Sequence, residues 1–575
     1  MLDCKVAGGS VVDGTGSQRQ RADVGIRDGR IVAVGEVDEA ATQTIDADGL
    51  VVAPGFVDIH THYDAQVFWD PALTPSSLHG VTTIVGGNCG FTIAPLEPSE
   101  ADYLMRMLAR VEGMPLESLA AGVPWDWRTY GEWLDRLDGT LAVNAGFLVG
   151  HSAIRRAVMG AAGTGVAATC EQVDTMVRLL RESLAAGGLG FSSSQAPTHN
   201  DGDGNPVPSR FATRDELVAL SREVRDHPGT TLEFIPAVGG FAEEHLELMA
   251  AMSLAANRPL NWNVLAVNSA RPEGHEQLLA ASDYAAERGA RVLALTVPDV
   301  MRIHLTFKAG FLLDALPGWA PTMALPRDEK MRALADPQER KRLRDAAASP
   351  EAGMIGALAR WERLDIIETF AAVNAGLAGR RVGDVAAERG LDPFDALLDI
   401  VLADDLRTVL MPPPAGDDDE SWKMRVEVWR DPRAVVGASD AGAHLDMLST
   451  FSYSTAMIDE AVRQRGLLPL EEAVHLITDV QARLYGIRER GRIAEGWHAD
   501  VVVFDEDRIA PGPVHTRYDL PAGAGRLYAE AEGIEHVLVN GTEIVRGTSL
   551  TGERPGRLLR SGRDTDTVEV PGGMS

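Results

Sequence analysis

Three cysteines in 575 residues are too few for a disulfide framework. No apolar run is long enough to span a membrane. The opening stretch, MLDCKVAGGSVVDGTGSQRQ, has no basic region followed by an apolar core, so no secretory leader is expected. Positive charge is also scarce: 54 Lys and Arg stand against 84 Asp and Glu, for a net charge of −30. A phosphate-backbone partner needs clustered cations, and this balance argues against one. What remains is a soluble, cytoplasmic protein acting on a small molecule, with no nucleic-acid or membrane partner and with a homo-oligomer left open. The acidic balance itself reads as solubility and names no substrate.

What is present begins with Val52–His62, VAPGFVDIHTH. It starts as a buried strand and ends in two histidines two residues apart. Strand side chains alternate between faces, so His60 and His62 are expected on one face, able to hold a divalent metal. Further apolar runs follow at Val81–Cys89, Leu141–His151, Leu189–Ser194, Thr230–Val238, Leu260–Val267, Arg291–Val297 and Ala434–Asp440. Helical patterns fill gaps between them, as at Cys170–Ala186, Arg214–Asp226 and Glu243–Asn257. Eight such strands with crossover helices predict an α/β fold, a (β/α)8 TIM-like barrel. Both ends of the chain read differently. Asp28-Gly29 and Asn540-Gly541 sit between alternating apolar positions as hairpin turns. The expected organisation is a small β-sandwich domain from 1–53 and 489–575 around a barrel at 54–488, with helical inserts at about 91–139 and 298–433.

In such a barrel the chemistry gathers at the C-terminal ends of the strands. The polar residues there are His60 and His62, Cys89, His151, Ser193 with His199 beyond it, Glu233, Asn263, Arg302 and His304, and Asp440 with His444. Cys89 alone reads as a small buried filler or a nucleophile; beside two imidazoles it reads as a metal ligand. Asp440 follows a buried run, where an unpaired carboxylate is costly, so it calls for a cation or a proton. His151 and His199 fit structural roles as well as substrate contact.

The motifs PGFVDIHTHYD, GVTTIVGGNCG, VGHSAIR, GASDAG and GRIAEGWHADVVVFD together resemble the amidohydrolase superfamily. GNCG and VGHS resemble its N-acyl-D-amino-acid deacylase (D-aminoacylase) branch. The resemblance implies zinc-dependent amide hydrolysis. His60 and His62 match the strand-one ligands, Cys89 the cysteine that replaces a carboxylated lysine, and Asp440 the aspartate that binds metal and shuttles protons. One part of the pattern is missing. The branch carries two further histidines from strands five and six, where this chain has TTLEFIP and LNWNVL, with Glu233 and Asn263 as the nearest polar substitutes. The set implied is therefore about one Zn2+ per chain at the His-x-His position, with Asp440 bound weakly or from outside the ligands, room for a second, weaker site, and His199 or His304 as further ligand candidates.

The main expectation is release of an acyl group from an N-acyl (D-)amino acid or a related small amide by hydroxide that zinc makes available at neutral pH. Asp440 acts as base and then acid, and His151 helps polarise the carbonyl. Arg155, Arg210 and Arg302 are candidates for a substrate carboxylate; Ser193, His199, Glu233, Asn263, His304 and His444 complete the candidate substrate contacts. Two alternatives stand beside it. One is a cyclic-amide or carbamoyl hydrolase or a deaminase on the same scaffold. The other is a non-catalytic homologue that binds a small molecule.

Overall fold

The computed structural model describes residues 1–308, 310, 312–353 and 355–571. Eight parallel strands follow one another in chain order. Strand one is Phe56–Asp58, strand two Val81–Gly86, and strand three is broken into Asn144–Phe147 and Val149–Gly150. Strands four to eight are Gly190–Ser194, Thr231–Ile235, Leu260–Trp262, Val292–Thr296 and Ala434–Val436. The two halves of strand three pair with different neighbours, the first with strand two and the second with strand four, and so link the two parallel sheets. The first and last strands meet beyond their ends. Thr61 bridges Ala441, His62 N–H donates to the Ala441 carbonyl (2.8 Å), and Asp440 N–H donates to that of His60 (3.2 Å). Every residue of strands one, two and four to eight is buried, which explains their continuous apolar runs.

The strands stop short of the residues expected to end them. Strand two ends three residues before Cys89, and strand eight ends four before Asp440. Both residues lie in the turns that follow, with left-handed backbones at φ 57° and 56°.

The opening stretch is two strands. Val51–Pro54 pairs antiparallel with Val501–Phe504 in a nine-stranded sheet, and Phe56–Asp58 pairs with barrel strand two. The break falls at Gly55, whose backbone packs against Thr82 so closely that a Cβ would sit 2.2 Å from its Oγ1. The nine-stranded sheet draws on both ends of the chain, from Leu2–Val11 to Ser549–Leu550, on one hydrogen-bonded path. Both hairpin turns have the positive φ pair that two-residue turns require: Asp28 and Gly29 at 52° and 74°, Asn540 and Gly541 at 46° and 78°. Residues 557–559 leave this sheet and bond strand three, with Leu559 N–H on the Ala145 carbonyl (2.8 Å).

The insert at 91–139 folds as the helices Ala101–Val111, Leu116–Gly122 and Tyr130–Leu137. The insert at 298–433 has its own apolar core around Trp319, Trp361 and Phe394. Its acidic run is a helix start: Asp418 accepts the Ser421 N–H (3.0 Å) and caps Asp419–Trp429.

Candidate metal centre

Four donor atoms converge where strands one, two and eight end. Cys89 Sγ lies 3.5 Å from His60 Nε2 and 3.8 Å from His62 Nε2. Asp440 Oδ1 lies 3.3 Å and 3.4 Å from the same two nitrogens. Zinc bonds of about 2.0–2.1 Å to nitrogen and 2.3 Å to sulfur give tetrahedral edges of roughly 3.4 Å and 3.6 Å. The observed separations fit those edges. Asp440 Oδ1 is buried with no hydrogen-bond partner and lies against the two imidazoles, beside the donor set. His60, His62 and Cys89 are also the metal-type cluster found among the described residues.

Burial holds the His60 imidazole down and pushes the Cys89 thiol well up, with Glu233 adding to the latter. Burial works against the Asp440 carboxylate, but the two imidazoles outweigh it and hold its pKa well below the usual range. Burial also opposes charge on His62, yet Glu112 and Asp440 raise it to about 9. A divalent cation among these donors would favour the thiolate and the neutral imidazoles.

The surroundings hold these groups in place. His62 Nδ1 is 3.2 Å from Glu112 Oε1, both groups buried. Cys89 N–H donates to Glu233 Oε2 (2.8 Å), which pins the left-handed turn that carries the thiol. Burial pushes Glu233 up to about 8 and leaves its Oε1 unpartnered. Asn263 Nδ2 is 3.0 Å from His60 Nε2. Asp58 takes the Ser439 hydroxyl (2.5 Å) beneath the site.

The other candidates are distributed as follows. His199 bonds Ser194 Oγ (2.7 Å); burial, then His444 and His62, lowers it to about 3. His444 is held near 4 by burial against the pull of Asp440. Both are neutral at pH 7, close enough to the centre to feel its charges. Arg210 donates to Asn200 Oδ1 (2.8 Å) and the His199 carbonyl (3.1 Å). Arg302 is bound to Asp299 (2.9 Å), and His304 Nδ1 lies 3.2 Å from the Met447 carbonyl.

Two expectations need correcting. His151 does not face the centre as a carbonyl polariser. Its ring nitrogens are taken by Ser193 Oγ (2.8 Å) and Glu216 Oε1 (2.9 Å), so Ser193 is committed there as well. Arg155, fully buried, pairs with the same Glu216 and is closed to a substrate. Glu216 sits on the helix Arg214–Val224, and nothing near VGHSAIR announces it. Glu112 and Asp58 were not among the candidates. Asp58 had a signal, a carboxylate inside an apolar run; Glu112 had none.

A buried cluster of imidazole, thiol and carboxylate at the C-terminal end of a parallel barrel defines a metal-dependent hydrolase scaffold. Comparison with known proteins agrees. Residues 43–545 match the model of the amidohydrolase family, and the chain belongs to that family. It is 29% identical over 564 residues to a D-aminoacylase of Alcaligenes xylosoxydans xylosoxydans, covering 97% of each chain. It superposes on a D-aminoacylase structure with a TM-score of 0.64 at 26% identity, covering 97% of this chain and 100% of that one. That structure was analysed for a binuclear metal centre, with one-metal activation and second-metal attenuation. A third relative is the N-acyl-D-glutamate deacylase of Bordetella bronchiseptica, complexed with zinc and a phosphonate that mimics the tetrahedral intermediate. It matches with a TM-score of 0.63 at 26% identity, covering 97% of this chain and 100% of that one. The protein is an amidohydrolase that cleaves carbon–nitrogen bonds. Among the described residues no helix is long and apolar enough to cross a membrane.

Proposed function

We propose that this chain hydrolyses the amide of an N-acyl-D-amino acid, using one zinc ion held by His60, His62 and Cys89, with Asp440 beside the open position that water takes. The observation that carries the reading is the convergence of His60, His62 and Cys89 at ligand spacing, with Asp440 Oδ1 against both imidazoles. The named activities of the D-aminoacylase and N-acyl-D-glutamate deacylase relatives support the substrate class. The absence of histidine at Glu233 and Asn263 supports one tight ion over two.

When bound, the ion supplies a Lewis acid and lowers the pKa of water at the site. The residues do the rest. Asp440 is the most exposed group at the centre, with a quarter of its side chain accessible, against 0% and 4% for the two histidines. It is therefore the group that water and substrate can reach. Asp440 takes the proton of the attacking water and returns it to the leaving nitrogen. Glu112 holds the His62 ring by its far nitrogen, and Glu233 holds the turn of Cys89, so both ligands are set before substrate arrives. Three cysteines, two of them buried, fit a reducing, cytoplasmic setting.

The test is a panel of N-acetyl-D- and N-acetyl-L-amino acids with hydantoin and dihydrouracil beside them. Turnover of D-substrates is expected, and Asp440→Asn should lower kcat by at least about 100-fold. Turnover of the cyclic amides with none of N-acetyl-D-amino acids would overturn the assignment.

A further inference from the structure

A cavity of about 360 Å³ opens beside the metal centre, within the usual size range of ligand pockets, about 300–1,000 Å³. The two share a wall. Gly113 lines the cavity, and the preceding Glu112 touches His62. His444, four residues after Asp440, lines it as well, and Gly113 packs against it so closely that a Cβ would lie 3.1 Å from the His444 Cα. The remaining walls come from the insert at 298–433 and from the C-terminal segment around 516–527.

The charges on these walls answer one another. Arg110 pairs with Asp314 (2.8 Å) and Arg526 with Asp519 (2.8 Å). Lys308 faces Asp446 and offsets part of what burial costs that carboxylate. Arg407 lies over the Phe370 ring (4.7 Å) and donates from Nε to the Asp404 carbonyl (3.3 Å), and Glu117 stands on the same lining. Between the charges the surface is apolar, with Ala109 and Met114 from the first insert, Val409 from the second and Leu527 from the C-terminal segment. Two large apolar side chains on this lining stay exposed, Leu116 at 42% and Tyr518 at 49%. An occupant that covers them is itself apolar and uncharged.

Size and charge together say which half of the substrate enters. A methylene takes up about as much space as a water molecule, about 30 Å³, so the cavity has room for roughly a dozen. An amino-acid side chain would leave most of that space empty. The amino-acid half also brings a carboxylate, which calls for a cation that the wall has not already matched. We infer that the acyl group of the substrate is a hydrocarbon chain of about eight to twelve carbons and that this cavity takes it. The inference rests on the proposed function and extends it to the acyl half. Hydrolysis adds water across the C–N bond and releases the fatty acid and the free amino acid.

The experiment compares kcat/KM for N-acetyl-, N-butanoyl-, N-octanoyl- and N-decanoyl-D-leucine. The rate should climb with chain length, and the octanoyl substrate should exceed the acetyl one by at least about tenfold. Leu116→Glu sets a carboxylate on the apolar wall, and Ala109→Trp fills part of the space. Each should cut the octanoyl-to-acetyl ratio by at least about fivefold. Leu116 is exposed, so its replacement spares the core, and a melting curve checks both variants. A rate that is flat or falls with chain length, or an unchanged ratio in folded Leu116→Glu, would overturn the inference. Binding of 1-octanol, followed by calorimetry, needs no turnover and separates the cavity from the parent reading. If no N-acyl amino acid is hydrolysed, octanol that binds the wild type and binds Leu116→Glu at least about fivefold more weakly still supports an acyl-chain cavity. No heat from octanol with the wild type overturns it.

Discussion

Glu112 ties the helical insert to the metal centre. Its carboxylate meets His62 Nδ1 at 3.2 Å, and its carbonyl takes the His444 N–H. A carboxylate on the far nitrogen of a ligating histidine fixes the ring and its tautomer, and losing one typically costs 10–100-fold in metal affinity. Glu112→Leu should weaken zinc binding by about that factor in a chelator competition, and Glu112→Gln should recover part of the loss through its amide oxygen. Unchanged zinc affinity in Glu112→Leu would remove Glu112 from the account. The two kinds of residue differ in how far sequence reveals them. His60, His62, Cys89 and Asp440 announce themselves because polar groups at the ends of apolar runs need partners. Asp58 is of the same kind and was readable by the same argument. Glu112 was not, because its role exists only once an insert has folded back over strand one. His151 misleads for the mirrored reason: its partner Glu216 lies 65 residues further along, on a helix with no motif of its own.

At the scale of the element, VAPGFVDIHTH is a junction. One half belongs to the terminal sheet and the other to the barrel, and the chain passes between them at Gly55. Gly55 N–H donates to the Asp500 carbonyl (2.9 Å), and its missing side chain makes room for Thr82. Gly55→Ala would place a Cβ 2.2 Å from Thr82 Oγ1 and 2.3 Å from Cγ2. Overpacking of this kind costs about 1–3 kcal/mol. The variant should melt earlier and lose metal with it, and adding Thr82→Ala should restore part of both. A Gly55→Ala protein as stable as wild type would show that the junction tolerates more than its geometry implies. The sequence shows the apolar run and its histidines but not the break, since Val, Ala, Phe and Val read the same in either sheet. Strand ends were blurred likewise: the turns after strands two and eight are nearly as buried as the strands themselves.

The whole molecule is fastened at points far from the chemistry, and His79 is one of them. It precedes strand two, bonds Thr455 Oγ1 (2.7 Å) on the helix Tyr453–Met457, and reaches the Ala529 carbonyl (3.1 Å) in the C-terminal segment. Burial lowers its pKa to about 4 from an ordinary value near 6.5. Above pH 6.5 the imidazole is neutral in both states and costs nothing. As pH falls from about 6.5 to about 4 the unfolded chain takes up a proton that the folded chain refuses, so stability drops by roughly 3 kcal/mol across that window. Melting temperature should fall on acidification over this range, and His79→Gln should flatten the slope whatever it does to stability at pH 7. An identical slope in the variant would assign the acid sensitivity elsewhere. The barrel and the sheet shared by both ends were legible from periodicity and from Asp-Gly and Asn-Gly turns. The cross-links between distant segments, His79 among them, were not, because nothing local marks which buried histidine meets which carbonyl.

The central claim is that one metal ion, held by His60, His62 and Cys89 with Asp440 beside it, carries the hydrolysis. Titrating zinc into chelator-stripped protein while following N-acetyl-D-amino-acid turnover tests it most directly. Activity should rise from near zero and saturate at about one zinc per chain, and Cys89→Ser should neither hold that zinc nor recover the rate. Full activity in the stripped protein, or a Cys89→Ser variant with normal zinc content and normal rate, would contradict it.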